Sequence, residues 1–166
     1  GQTTDFTING GNLEFSNSGA LGTTANSNLV NVIVNGGGFY YNNATGATLP
    51  HAITLAGGAL SGGGGNHTYS GPVNVSAASA INLADSNGPN TATARNITLS
   101  GVVSGSGNLT LDGNNTASSG NQISGTLTLN NAGTNWTGDL LINRGTVTLA
   151  SAVSPSFTSN DVTFNA

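Results

Sequence analysis

The stretch NWTGDLLINRGTVTLASA, residues 135–152, decides how the rest of the chain is read. Leu140 and Ile142 alternate with other residues, and so do Val147 and Leu149. Each run can therefore bury one face and solvate the other, as a short strand does. Asn143-Arg144-Gly145 between them supplies a tight turn. The reading is strand 140–142, turn, strand 146–149.

The same strand–Gly–strand phrase returns along the chain. It appears as FTINGGNLEF (6–15), VIVNGGGFYY (32–41), ITLAGGAL (53–60) and VNVSAASAINL (73–83). ITL at 97–99 leads through Gly101 and Gly105 to LTL at 109–111, LTL recurs at 127–129, and VTF stands at 162–164. The clear starts are 6, 32, 53, 73, 97, 140 and 162, with steps of 26, 21, 20, 24, 43 and 22. The step of 43 reads as two ordinary steps, with an irregular coil inside 118–129. A period near 22 without a helical pattern points to an all-β fold, a parallel β-solenoid of seven to eight coils. Gly and β-branched residues interrupt every window, so no 3.6-residue period survives. The rival fold is an antiparallel β-sandwich, which also uses short, regularly spaced strands.

Stacking at about 4.8 Å per coil gives a rod roughly 35 Å long. The expected inward rows are Phe6/Val32/Ile53/Val73/Ile97 and Ile8/Val34/Leu55/Val75/Leu99, the second continuing to Ile142. Asn9, Asn35 and Asn143 at the turns are expected to form hydrogen-bonded ladders.

Composition bounds the function. The 166 residues form one domain, a single β-solenoid over 1–166, standing alone or as a unit of a longer array. Only 5% of residues are charged, against about 25% in an ordinary domain. There is no Lys; Arg95 and Arg144 are the only cations besides two His, and the net charge is −4. That balance argues against a nucleic-acid partner. No apolar run reaches the ~18 residues of a membrane span. The absence of Cys removes disulfide and thiol chemistry and fits a secreted protein. A first residue of Gly rather than Met reads as a processed product or a piece of a longer chain.

GNLTL at 107–111, followed by NWTGDLLINRGTVTLA at 135–150, resembles the autotransporter-associated β-strand repeat. The resemblance is specific over about 107–152. The first hundred residues share only the period and the phrase. Trp136 stands where that family usually has Tyr, and the segment between Leu111 and Leu127 is long and polar. The resemblance implies a right-handed parallel β-helix outside the cell, of the passenger type, without its C-terminal membrane barrel.

Chemistry is sparse. The acids Asp5, Glu14, Asp85, Asp112, Asp139 and Asp161 are scattered. Asp139 and Asp161 lie one coil apart and could face each other, yet both read as solvated turn residues. His51 and His67 are not at metal-ligand spacing and no Cys completes a zinc set. GGGGNH at 62–67 occurs once, with His where a calcium-binding repeat has Asp. Neither a phosphate loop nor a nucleophile elbow is present, and no cofactor is implied. Thr-x-Thr at 126/128 and 146/148 suggests a flat threonine ladder of the ice-binding kind, but the coils starting at 32 and 73 lack the pair. Tyr40, Tyr41, Tyr69 and Trp136 are read as packing residues before a sugar platform. Sequons at Asn43, Asn66, Asn74, Asn96, Asn108, Asn114 and Asn135 mark potential glycosylation sites.

The expected function is therefore structural and not enzymatic. The protein would be a building block of an extracellular fibre, matrix or adhesin stalk. It would polymerise head to tail by stacking or strand donation through Phe6 and Ile8 at one end and Val162 and Phe164 at the other. The alternatives are a carbohydrate-binding or carbohydrate-active β-helix, with host or matrix glycans as partners, and an inert passenger fragment.

Overall fold

The computed structural model describes residues 5–22, 30–83, 95–112, 125–150 and 162–164. Turn by turn, the strands are β1 (Asp5–Ile8) and β2 (Asn12–Phe15); β3 (Asn31–Val34), β4 (Gly38–Asn42) and β5 (Ala47–Leu49); and β6 (Ile53–Leu55), β7 (Ala59–Gly63) and β8 (His67–Tyr69). Next come β9 (Val73–Val75), β10 (Ser79–Asn82) and β11 (Ile97–Leu99), then β12 (Val103–Gly105), β13 (Leu109–Asp112) and β14 (Thr126–Leu129). The last are β15 (Leu140–Ile142), β16 (Thr146–Leu149) and β17 (Val162–Phe164). The two strands of the opening stretch have the expected limits, and Gly145 turns between them at φ 105°.

These strands form three sheets, with orders β1-β3-β6-β9-β12, β17-β15-β13-β10-β7-β4-β2 and β16-β14-β11-β8-β5. Every pairing is parallel. The chain visits the first, central and third sheets in turn, which is the winding of a parallel β-solenoid. An antiparallel sandwich is excluded by the pairing. The central sheet counts seven turns, in line with the expected seven to eight, and at about 4.8 Å per step spans roughly 30 Å. No helix occurs among the described residues, and so none is long and apolar enough to cross a membrane.

Alternation decides what is buried. In the first sheet Ile8, Val34, Leu55, Val75 and Gly105 share one register, as do Phe6, Val32, Ile53, Val73 and Val103. In the central sheet the row is Leu13, Phe39, Leu60, Ile81, Leu111, Ile142 and Phe164. In the third sheet Leu49, Tyr69, Leu99, Leu129 and Leu149 stack, beside Ala47, His67, Ile97, Leu127 and Val147. The middle members are almost free of solvent and form one continuous core. Each Leu, Ile or Val so buried contributes about 1.5–3 kcal/mol.

The single inward row expected from the sequence is thus corrected. Ile8, Val34, Leu55 and Val75 do stack, but Leu99 with Ile97 belongs to the third sheet and Ile142 to the central one. Val103–Gly105 is the true successor of Val73–Val75. The cause is the spacing of β10 and β11: β10 ends at Asn82 and β11 begins at Ile97, whereas β7 ends at Gly63 and β8 begins at His67. The step from 73 to 97 looks like a period yet lands on another sheet. A turn of β12, β13 and β14 then occupies the interval read as a gap, and β14 is the strand that the described residues of 118–129 supply to it.

The corners need close main-chain approach. Gly37 has φ 71° and sits over Gly11; a Cβ there would lie 1.8 Å from the Gly11 carbonyl oxygen. No other residue type fits this column. Asn35 Nδ2 donates to Asn9 Oδ1 at 3.2 Å, so the Asn ladder is real for this pair. Asn143 follows a central-sheet strand and is not its continuation.

The sixth turn solves a packing problem. Asn135 N donates to the Val103 carbonyl and Thr137 N to that of Gly105, both at 2.9 Å. Asn35 N donates to Ile8 in the same way, where Ile8 faces Val34. By this pattern Trp136 lies opposite Gly105. The row therefore ends in Gly105, which has no side chain, and Trp136, which has the largest. Trp136 is 1% exposed and its Nε1 donates to the Gly107 carbonyl at 2.8 Å.

Candidate functional site

In a stack of parallel coils the interior strands satisfy each other, and only the outermost ones keep unpaired edges. Among the described residues, β1 and β2 are the last strands of their sheets at one end, and β16 and β17 at the other. The inward-register side chains of these strands are only partly covered. Phe6 is 39% exposed, Leu149 43%, Val162 42% and Phe164 74%. Leu13 and Phe15 are half-buried, with Phe15 packed 5.0 Å from both Phe39 and Tyr41. Ile8, expected to be exposed, is buried at 5%. At the β16–β17 end an apolar hollow of about 380 Å³ is lined by Leu140, Ile142, Val147, Leu149, Val162 and Phe164. The sequence identified Phe6, Val162 and Phe164. It missed Leu149, because its alternation is that of an interior strand.

The outer faces are polar and nearly uncharged. On the third sheet Thr48, Thr68, Thr98, Thr128 and Thr148 share one outward register. The threonine ladder is therefore unbroken as a single rank. The coils that lack Thr-x-Thr in their first strands contribute Thr48 and Thr98 here. The second rank reads Asn66, Asn96, Thr126 and Thr146, so the full pair remains confined to the last two strands, as expected.

That second rank also explains the sequons. Asn66 Oδ1 accepts from Asn96 N at 3.1 Å, and Asn96 Oδ1 from Thr126 N at 2.9 Å. Asn108 Oδ1 accepts from Asp139 N at 3.0 Å. An Asn at the entrance of a strand bonds the next coil, and the Thr two residues on points outward. Asn-x-Thr thus follows from the coil itself. Asn43 Nδ2 donates to the Ser16 carbonyl at 2.7 Å, while Asn74 and Asn135 are exposed. Asn114 lies outside the described residues.

Two histidines are wholly inside. His67 sits in the third-sheet column between Ala47 and Ile97, 1% exposed, edge-on to Tyr41 with ring centroids 4.8 Å apart. Its Nε2 lies 2.8 Å from the Gly63 carbonyl, so Nε2 carries the proton, and buried Nδ1 has no hydrogen-bond partner. Burial pushes its pKa down, Gly63 opposes this, and the positive Arg95 lowers it further. His51 is 0% exposed, and burial pushes its pKa down against an opposing contact from the Val30 main chain. Both rings are neutral at pH 7. Among the described residues no group of three His, Asp or Glu is placed to hold a metal.

The aromatic residues are packing elements. Tyr40, Tyr41, Tyr69 and Trp136 are 5% exposed or less. The Tyr69 hydroxyl donates to the Ser61 carbonyl at 3.0 Å, and burial pushes its pKa far above the ordinary phenol value. Asp139 is exposed beside Leu140, while Asp85 and Asp161 lie outside the described residues. Comparison with protein-family models, curated proteins and solved structures finds no match to this chain.

Proposed function

We propose that the protein is a structural module, a building block of an extracellular fibre, matrix or stalk that polymerises head to tail. One observation carries this reading. The strands at both ends of the stack bear exposed apolar residues in the same register as the interior rows. Placing β2 of one copy against β17 of another continues the central sheet, with Leu13 following Phe164 as Phe39 follows Leu13 inside the chain. The contact is heterologous and does not close, so it propagates as a filament. Donation of a terminal strand into the neighbouring copy uses the same edges. The resemblance of 107–152 to the autotransporter-associated repeat supports a place outside the cell, and the neutral, Asn- and Thr-rich outer faces suit a stalk.

The test is Phe6→Lys together with Phe164→Lys, with Thr98→Lys on an outer face as control. A charge desolvated between two stacked ends has no partner. Wild type and Thr98→Lys should show filaments by negative stain and rising mass with concentration by light scattering. The double variant should remain monomeric at every concentration reached. Monomeric wild type at high concentration would refute the reading.

A further inference from the structure

On the outer face of the central sheet the outward positions of β4, β7 and β10 are Gly38, Ala59 and Ala80, in one register. Ala59 and Ala80 thus present nothing larger than a methyl group, while the Asn12 side chain covers Gly38, whose own Cβ would lie 2.6 Å from its Oδ1. The next row, Tyr40, Ser61 and Asn82, stands beside them. The result is a trough made of two hollows, of about 410 and 320 Å³, that share Gly37 and Ala59. Asn12 of the first turn borders it at one end and Thr110 of the fifth at the other. Four coil steps make it about 19 Å long.

The walls are held rigidly. Tyr40 is 5% exposed and its hydroxyl overlies Gly63, where a Cβ would come within 1.9 Å of it. Ser61 is 8% exposed, and its Oγ accepts from Asn82 Nδ2 at 3.3 Å. No lining residue of either hollow is charged. Glu14 shares the register of Tyr40, but its Oε1 accepts from Asn42 Nδ2 at 2.8 Å.

We propose that this trough binds a linear, uncharged polysaccharide lying along the solenoid axis. An anionic chain laid here would lose water without gaining a counter-charge, and would meet Glu14 and Asp112, which share the row of Tyr40 and Asn82. A peptide strand has no free ladder to join, because the sheet's main-chain groups pair with adjacent coils. A neutral sugar ring matches both surfaces. Its C–H face rests on the Ala59–Ala80 floor, and its hydroxyls meet the amide and hydroxyl groups of Asn12, Ser61 and Asn82. The length and open run across several turns suit a chain over a single sugar. Apart from Asn12 on β2, the site lies away from the ends of the stack.

The experiment is affinity electrophoresis of the full chain in native gels containing hydroxyethylcellulose, galactomannan or polygalacturonate. Retardation is expected in at least one of the two neutral gels and not in polygalacturonate. Ala59→Phe fills the floor, and Asn82→Asp adds a carboxylate of nearly unchanged shape. Each should weaken retention about tenfold or more, while Thr98→Val on the third sheet should leave it unchanged. Circular dichroism checks that each variant folds; should Ala59→Phe not fold, Asn82→Asp carries the test. Mobility unaffected by both neutral polymers overturns the proposal. So does equal retention by polygalacturonate, or wild-type retention by the folded variants.

Discussion

Truncating Trp136 to Ala should be among the most damaging single changes in the protein. The indole is 1% exposed, lies opposite a glycine, and gives its N–H to the Gly107 carbonyl at 2.8 Å. Losing a buried Trp costs about 3–5 kcal/mol. Here the void cannot be filled from below, since Gly105 has no side chain and its φ of 100° resists a replacement. The orphaned carbonyl adds about 1 kcal/mol. A loss of about 4–6 kcal/mol takes much of the roughly 5–15 kcal/mol of a typical domain. Urea unfolding followed by far-ultraviolet circular dichroism is the assay, because the variant has no other Trp. The midpoint should fall by about 2 M or more. Trp136→Phe keeps most of the packing and loses the hydrogen bond, so it should fall between the two. Wild-type fluorescence should be blue-shifted and poorly quenched by iodide. A loss under about 1 kcal/mol, or a readily quenched indole, would refute the placement of Trp136 in this row.

Two further outcomes follow from the core. Burial holds the folded-state pKa of His51 and His67 below the unfolded value near 6.5. As pH falls the unfolded chain takes up protons first, so stability is full above pH 6.5, declines below it, and levels off under the folded values. The melting temperature should drop between about pH 8 and about pH 5, and His67→Leu should flatten that profile; an unchanged slope in the variant would show that His67 is not the titrating group. Leu99→Asp puts a lone charge into a column flanked by Tyr69 and Leu129 and should prevent folding, whereas Thr98→Asp, one residue away on the outer face, should cost less than about 1 kcal/mol. Equal behaviour of the two variants by circular dichroism would contradict the assigned faces.

Local pattern was legible in the sequence wherever it depends on neighbours along the chain. The alternation in 140–142 and 146–149 marked both strands and their inward residues, and Gly145 marked the turn, because side-chain direction in a strand repeats every two residues. The repeat with no helical period led to the parallel solenoid. The apolar ends at Phe6, Val162 and Phe164 could also be read directly. What strand lies above what strand was decided only in three dimensions. The longer spacing of β10 and β11 leaves every local signal intact while displacing the later strands along the sequence, so Ile97–Leu99 looked like a successor of Val73–Val75 and is not. The unbroken row of Thr48, Thr68, Thr98, Thr128 and Thr148 was invisible for the same reason: its members are 20 or 30 residues apart, according to what each turn carries at its corners. The trough over Gly38, Ala59 and Ala80 and the pairing of Trp136 with Gly105 are likewise products of stacking. Each is a relation between coils, and the contact that makes it exists only once the strands of successive turns pair in parallel.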